Sequence, residues 1–185
     1  MRNRRPGPFS VNVRDIVRHP GEMREIELDV PLTSRWGEGL VSVPEGTQLE
    51  IDARLESVHE GILVSASARG TYSGVCGRCL TDISAPVEVE FQELFAYPGE
   101  EASDFEVQDD HVDLETAVRD AIVLSLPFQP VCRPDCPGLD PVTGELRADN
   151  ADAEPREPLD PRWAALAGFA EEPADGSDSE STPQT

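Results

Sequence analysis

The chain has no lysine: its 15 basic residues are all arginine, set against 37 Asp and Glu, for a formal net charge of −22 over 185 residues. The missing lysine reads as an imprint of GC-rich coding and says nothing about mechanism. The missing positive charge does exclude something. Affinity for bare nucleic acid comes from cations that neutralise phosphate, so the surface as a whole cannot bind it tightly. No long apolar run follows Met1-Arg2-Asn3-Arg4-Arg5. Neither a signal peptide nor a membrane span is therefore expected, and the chain should stay in a reducing cytoplasm. The three histidines, His19, His59 and His111, are scattered and lie in no motif with a catalytic partner. No nucleophile-base-acid constellation is visible, no Gly-rich phosphate loop follows a strand and no internal repeat is present, so an enzyme is not expected.

Cysteine is scarce too, and its four copies are arranged as two short hooks, Cys76-Gly77-Arg78-Cys79 and Cys132-Arg133-Pro134-Asp135-Cys136. Two or three intervening residues let both sulfurs of a hook reach one ion, and zinc is satisfied by four thiolates in a tetrahedron. Gly77 permits a tight bend in the first hook and Pro134 stiffens the second. The spacing points to one zinc ion held by Cys76, Cys79, Cys132 and Cys136. A closed four-thiolate site leaves no position for substrate and would be structural. Free or disulfide-paired cysteines remain an alternative. So does a redox dithiol at Cys76 and Cys79, although no strand-helix-strand pattern surrounds Cys76.

Charge is uneven along the chain. Residues 1–24 carry six arginines against Asp15 and Glu22, a balance of +4, while residues 88–120 carry twelve acidic residues against Arg119, a balance of −11. Such a molecule repels RNA on one side, can touch it on another, and should attract a basic protein. Arg2, Arg4, Arg5 and Arg14 in the basic segment and Arg78 and Arg133 inside the hooks are the candidate phosphate contacts. Arg78 and Arg133 can equally offset the charge of four thiolates.

The 38% apolar content is enough for one modest core. Phe9, Val11 and Val13 alternate with polar residues, as do Ile26, Leu28 and Val30, then Leu49, Ile51, Ala53 and Leu55, then Ile62, Val64, Ala66 and Ala68, and finally Val87, Val89 and Phe91. This period of two predicts an antiparallel sheet. A hairpin is expected at Glu60-Gly61, with Gly61 free to take positive φ, and the first hook should sit at the tip of another hairpin or loop. Residues 98–110 read as an acidic loop or disordered insertion. Asp113 is expected to cap a helix with Leu114, Ala117, Val118, Ala121 and Ile122 on one face, ended by Pro127 and leading straight into the second hook. From Asp149 the composition predicts a disordered acidic tail, interrupted by a short helix over 161–169 that follows Asp160 and presents Trp163, Leu166 and Ala167. The organisation expected is a basic arm over 1–8, an α+β domain over 9–148 with a curved antiparallel sheet and a packed helix, and the tail over 149–185.

The order of the pieces resembles a known family. Strands precede Cys76-Gly77-Arg78-Cys79-Leu80; an acidic stretch leads to Val112-Asp113-Leu114-Glu115; Leu124-Ser125-Leu126-Pro127 precedes Cys132; then come Cys136-Pro137-Gly138-Leu139 and Asp160-Pro161-Arg162-Trp163. Over roughly residues 9–169 this is similar to the YceD family, the large ribosomal RNA subunit accumulation proteins. The resemblance implies a cytoplasmic, non-enzymatic factor that supports accumulation or processing of large-subunit ribosomal RNA. Its implied partners are that RNA or a pre-ribosomal particle, and a small basic ribosomal protein through a genetic association. The functions to separate are an RNA-contacting adaptor, an acidic chaperone of a basic ribosomal protein, and a thiol redox protein. One departure stands out: Asp140 and Thr143 occupy positions where many relatives have two further cysteines. Asp140 is read as part of a surface turn.

Overall fold

Alternation in the sequence becomes two faces of one sheet. In the computed structural model, which describes residues 7–99, 105–141, 143–147 and 162, the chain is mostly strand with a single helix among the described residues. It divides into two units, Met1–Asp149 and Asn150–Thr185. Arg162 is the described residue of the second. The expectations for Arg2, Arg4 and Arg5 and for the helix over 161–169, Arg162 aside, lie outside the described residues.

Strands β2 (Met23–Pro31), β4 (Gln48–Ser57), β5 (Gly61–Val75), β6 (Asp82–Ala96) and β7 (Phe105–Glu106) form an open sheet in the order β2-β4-β5-β6-β7, with β3 (Val41–Ser42) pairing against β5. Strand β1 (Ser10–Asn12) pairs with β8 (His111–Asp113) in a small second sheet. In β4, Leu49, Ile51, Ala53, Leu55 and Ser57 are buried while Gln48, Glu50 and Arg54 are exposed, so one face meets the core and the other meets water. Burying a Leu, Ile or Val of this row stabilises the fold by about 1.5–3 kcal/mol each. Helix α1 (Glu115–Ser125) packs beside β6 and contributes Val118 and Ile122, which are fully buried together with Leu114 at its N-cap.

Four details differ from the sequence reading. The sheet is mixed, because Phe95 and Ala96 pair in parallel with Phe105 and Glu106. Part of the expected acidic loop is therefore a short strand, fixed by the Phe95–Phe105 ring contact at 5.2 Å between centroids. Gly61 does not have positive φ; a Cβ there would stand 2.1 Å from the carbonyl oxygen of Phe95. It is glycine because β6 comes too close, not because the turn is left-handed. The helix N-cap is Leu114, without a side-chain cap bond. Asp113 is held in β8 opposite Ser10 and accepts a hydrogen bond from the Glu115 N–H instead, at 3.1 Å. The end of the helix, by contrast, agrees with the reading: its last residue is Ser125, and Leu126 has the extended ψ of 138° that Pro127 imposes on its predecessor.

Pairing of β4 with β5 ends at Glu50↔Arg69, whereas pairing of β5 with β6 runs on to Val75↔Asp82. The β5–β6 ribbon thus projects beyond β4, braced by β3 at Ser73 and Gly74. Cys76 follows directly. No helix among the described residues is long and apolar enough to cross a membrane.

Candidate metal centre

The first hook is a tight connection from β5 to β6. The Cys76 N–H donates to the Thr81 carbonyl at 2.8 Å and the Leu80 N–H donates to the Cys76 carbonyl at 2.9 Å. Leu80 takes a positive φ of 59° to close the turn. The second hook follows α1 through Pro127 and Pro130. It meets the first through main-chain contacts: Gly77 N–H donates to the Pro130 carbonyl at 2.8 Å, and Leu139 N–H to the Arg78 carbonyl at 3.2 Å. Gly77 has no positive φ; besides Leu80, the left-handed residue here is Gly138, at φ +76°. A Cβ at Gly138 would lie 3.2 Å from the Arg78 carbonyl oxygen, so a larger residue would be strained twice over.

These contacts bring all four sulfurs within 4.8 Å of one another. Cys76 Sγ lies 3.9 Å from Cys136 Sγ, and Cys79 Sγ lies 3.6 Å from Cys132 Sγ. Four thiolates about 2.3 Å from one zinc ion stand about 3.8 Å apart, the edge of a tetrahedron with that radius. The Cys76–Cys136 and Cys79–Cys132 separations lie within about 0.2 Å of that edge. Cys76, Cys79 and Cys136 are buried, with Ile83 and Leu139 packed against them, while Cys132 is exposed.

Electrostatics divide the thiols. Burial pushes Cys76 up, but the N–H groups of Arg78 and neighbouring thiols stabilise its anion more and bring it down to about 6. The Thr81 hydroxyl, 3.2 Å from Cys79 Sγ, lowers that thiol by donating to its anion. Cys132 is pushed up to about 12 because it shares its proton with Cys136 and Cys79. Cys136 is raised chiefly by burial. A cluster that concentrates negative charge and retains protons is one a cation would relieve.

Arg78 adds a role that the sequence did not disclose. Its guanidinium donates to the carbonyls of Pro134 at 3.2 Å and Cys136 at 3.1 Å, tying one hook to the other. The part played by Thr81 was equally hidden; its place two residues after Cys79 was the available signal. Arg133 pairs with Asp135 at 3.4 Å and Arg14 with Asp110 at 3.3 Å. Asp140 is not one of the clustered ligands. Its side chain accepts the Thr143 N–H at 2.9 Å and its carbonyl accepts the Gly144 N–H at 2.8 Å, so the two positions that depart from the family pattern build a turn. His111 touches Asn12 and the Asp109 carbonyl, and His19 and His59 are exposed.

Fold and site define a small sheet domain with a four-thiol centre at the tip of its longest ribbon. The chain belongs to the family described as large ribosomal RNA subunit accumulation protein YceD, whose family model matches residues 64–170. An uncharacterized protein of Mycobacterium tuberculosis is 41% identical over 166 residues, covering 86% of this chain and 80% of the relative. An uncharacterized protein of Mycobacterium leprae is 35% identical over 166 residues, covering 86% and 76%. The uncharacterized protein YlbN of Bacillus subtilis is 31% identical over 98 residues, covering 49% and 56%. No solved structure matches the chain.

Proposed function

We propose that this protein is a non-enzymatic ribosome-biogenesis factor that supports accumulation or processing of large-subunit ribosomal RNA in the cytoplasm, with one structural zinc ion held by Cys76, Cys79, Cys132 and Cys136. The family description supports the ribosomal part. The gathering of four sulfurs within 4.8 Å of one another, two pairs of them at 3.9 and 3.6 Å, supports the zinc part. Bound zinc would supply a cross-link between the β5–β6 ribbon and the segment after α1. Around it Arg78 ties the hooks through main-chain carbonyls, and Thr81 steadies the Cys79 thiolate.

In this reading the phosphate contacts are Arg2, Arg4, Arg5, Arg14 and Arg133, and Arg78 serves the hooks. Replacing Arg2, Arg4, Arg5 and Arg14 together with Gln should shed the protein from large-subunit precursor particles in sedimentation while moving its melting temperature little. Unchanged co-sedimentation would rule out the basic segment as the contact.

A second reading, an acidic chaperone of a basic ribosomal protein, is favoured by the outer face of the sheet. Glu25, Glu27 and Asp29 of β2, Glu50, Asp52 and Glu56 of β4, and Glu88 and Glu90 of β6 share that face with Arg54 and Arg69. Capture of a basic large-subunit protein by the purified chain, lost when RNA is added, would favour this reading over the adaptor.

A further inference from the structure

The four thiols are equivalent in sequence but not in access. Cys76, Cys79 and Cys136 are buried, and Cys132 alone of the four faces solvent. Beneath it, 3.6 Å away and on the other hook, is Cys79 Sγ. We propose that Cys132 and Cys79 form a peroxide-sensitive pair, and that a hydroperoxide converts the zinc-held junction of the two hooks into a disulfide-held one. The proposal rests on the zinc reading above.

The chemistry balances with the hydroperoxide as sole oxidant. The Cys132 sulfur, which is a thiolate when it serves as a zinc ligand, attacks the outer peroxide oxygen; an S–O bond forms, the O–O bond breaks, and the departing oxygen takes a proton to leave as water or an alcohol. Cys132 is then a sulfenic acid. The Cys79 thiolate attacks its sulfur, an S–S bond forms, the S–O bond breaks, and hydroxide leaves as water after taking a second proton. Two thiolates have given two electrons to one peroxide. A disulfide has its sulfurs about 2.05 Å apart, so the pair must close by about 1.5 Å from its present separation.

Removing two of four ligands leaves Cys76 and Cys136, 3.9 Å apart, as an incomplete pair from which the ion departs. The location of the new bond matters. A linkage inside one hook, Cys76 to Cys79, would leave no covalent or metal link between the two hooks when the metal leaves. The Cys79–Cys132 linkage instead joins residues 53 apart in sequence across the same junction. Gly77, Arg78 and Leu139 already hold that junction by hydrogen bonds. Oxidation therefore exchanges one cross-link for another and leaves the fold in place, and a thiol reductant with zinc restores the starting state.

The test uses the full chain, zinc-loaded under reducing conditions, freed of reductant and titrated with hydrogen peroxide. A chromogenic chelator reports released zinc, and non-reducing peptide mass spectrometry maps the linkage. Zinc release in step with a Cys79–Cys132 cross-linked peptide is the expected result, reversed by reductant. Cys132→His keeps a metal-ligating nitrogen without the attacking thiol and should hold its zinc at peroxide levels that empty the unaltered chain. If that variant fails to fold, the linkage map of the unaltered chain decides alone. A chain that holds no zinc before peroxide is added overturns the zinc reading and this proposal with it. A zinc-loaded chain that keeps its metal, or whose first linkage is Cys76–Cys79, overturns this proposal and leaves the zinc reading standing.

Discussion

Cys76 and Cys132 carry the same side chain and are driven in opposite directions by their surroundings. Main-chain N–H groups and neighbouring thiols bring the first down to about 6, whereas sharing a proton with Cys136 and Cys79 lifts the second to about 12. Both shifts bear on metal affinity. Zinc binds thiolates, so each proton still on the cluster must be displaced, and acidification adds protons. With Cys132 raised and Cys136 raised, the cluster is not fully ionised at neutral pH. Zinc binding at about pH 7 should therefore release protons, and the dissociation constant measured by chelator competition should be weaker at about pH 6 than at about pH 8. A constant independent of pH would mean that the sulfurs are not the ligands. A neighbouring residue offers a test of the junction itself. Gly138→Ala forces a side chain into a left-handed backbone beside the Arg78 carbonyl and should lower the melting temperature, whereas Gly144→Ala, also at positive φ but with open space around its Cβ position, should lower it less. Equal losses would mean that the close approach to Arg78 is unimportant.

Helix α1 joins the core to the second hook, so its packing and the site are coupled. Its apolar face was legible in sequence, since Leu114, Ala117, Val118 and Ile122 recur at helical spacing and are all buried. The start of the helix was not. Asp113 has the chemistry of a cap, but as the last residue of β8 it pairs with Ser10 of β1 and is held in a strand. Ile122→Ala removes a fully buried side chain and should destabilise the domain by about 2–5 kcal/mol in urea unfolding. Leu124→Ala, on a side chain 85% exposed, should change stability by less than about 0.5 kcal/mol. Comparable losses at both positions would contradict the assigned helix face.

Across the whole molecule, negative charge dominates, with 37 Asp and Glu against 15 Arg. A tally along the sequence located acidity in residues 88–120, but the sheet gathers carboxylates from β2 and β4 beside those of β6. Attraction of a basic polypeptide to this face should fall with salt as the screening length shortens to about 8 Å at physiological ionic strength. Replacing Glu27, Asp52 and Glu90, which align across the strands, with their amides should slow association more than it speeds dissociation, as measured by surface binding kinetics at low salt. An unchanged association rate would mean that this face is only a solvated surface.

Repeating local patterns let the sequence determine which stretches become strands and helix, and which cysteines form hooks. Period-two alternation and the C-x2-C and C-x3-C spacings are each complete within a few residues, so neighbours along the chain suffice to express them. Only the tertiary structure decided the rest. The parallel pairing of β7 spans two residues, too few to show a period. The exposure of Cys132, the approach of Cys79 and the grip of Arg78 on Pro134 and Cys136 join residues 53 to 58 positions apart. No local pattern encodes those contacts, because they exist only once the β5–β6 ribbon and the segment after α1 have met.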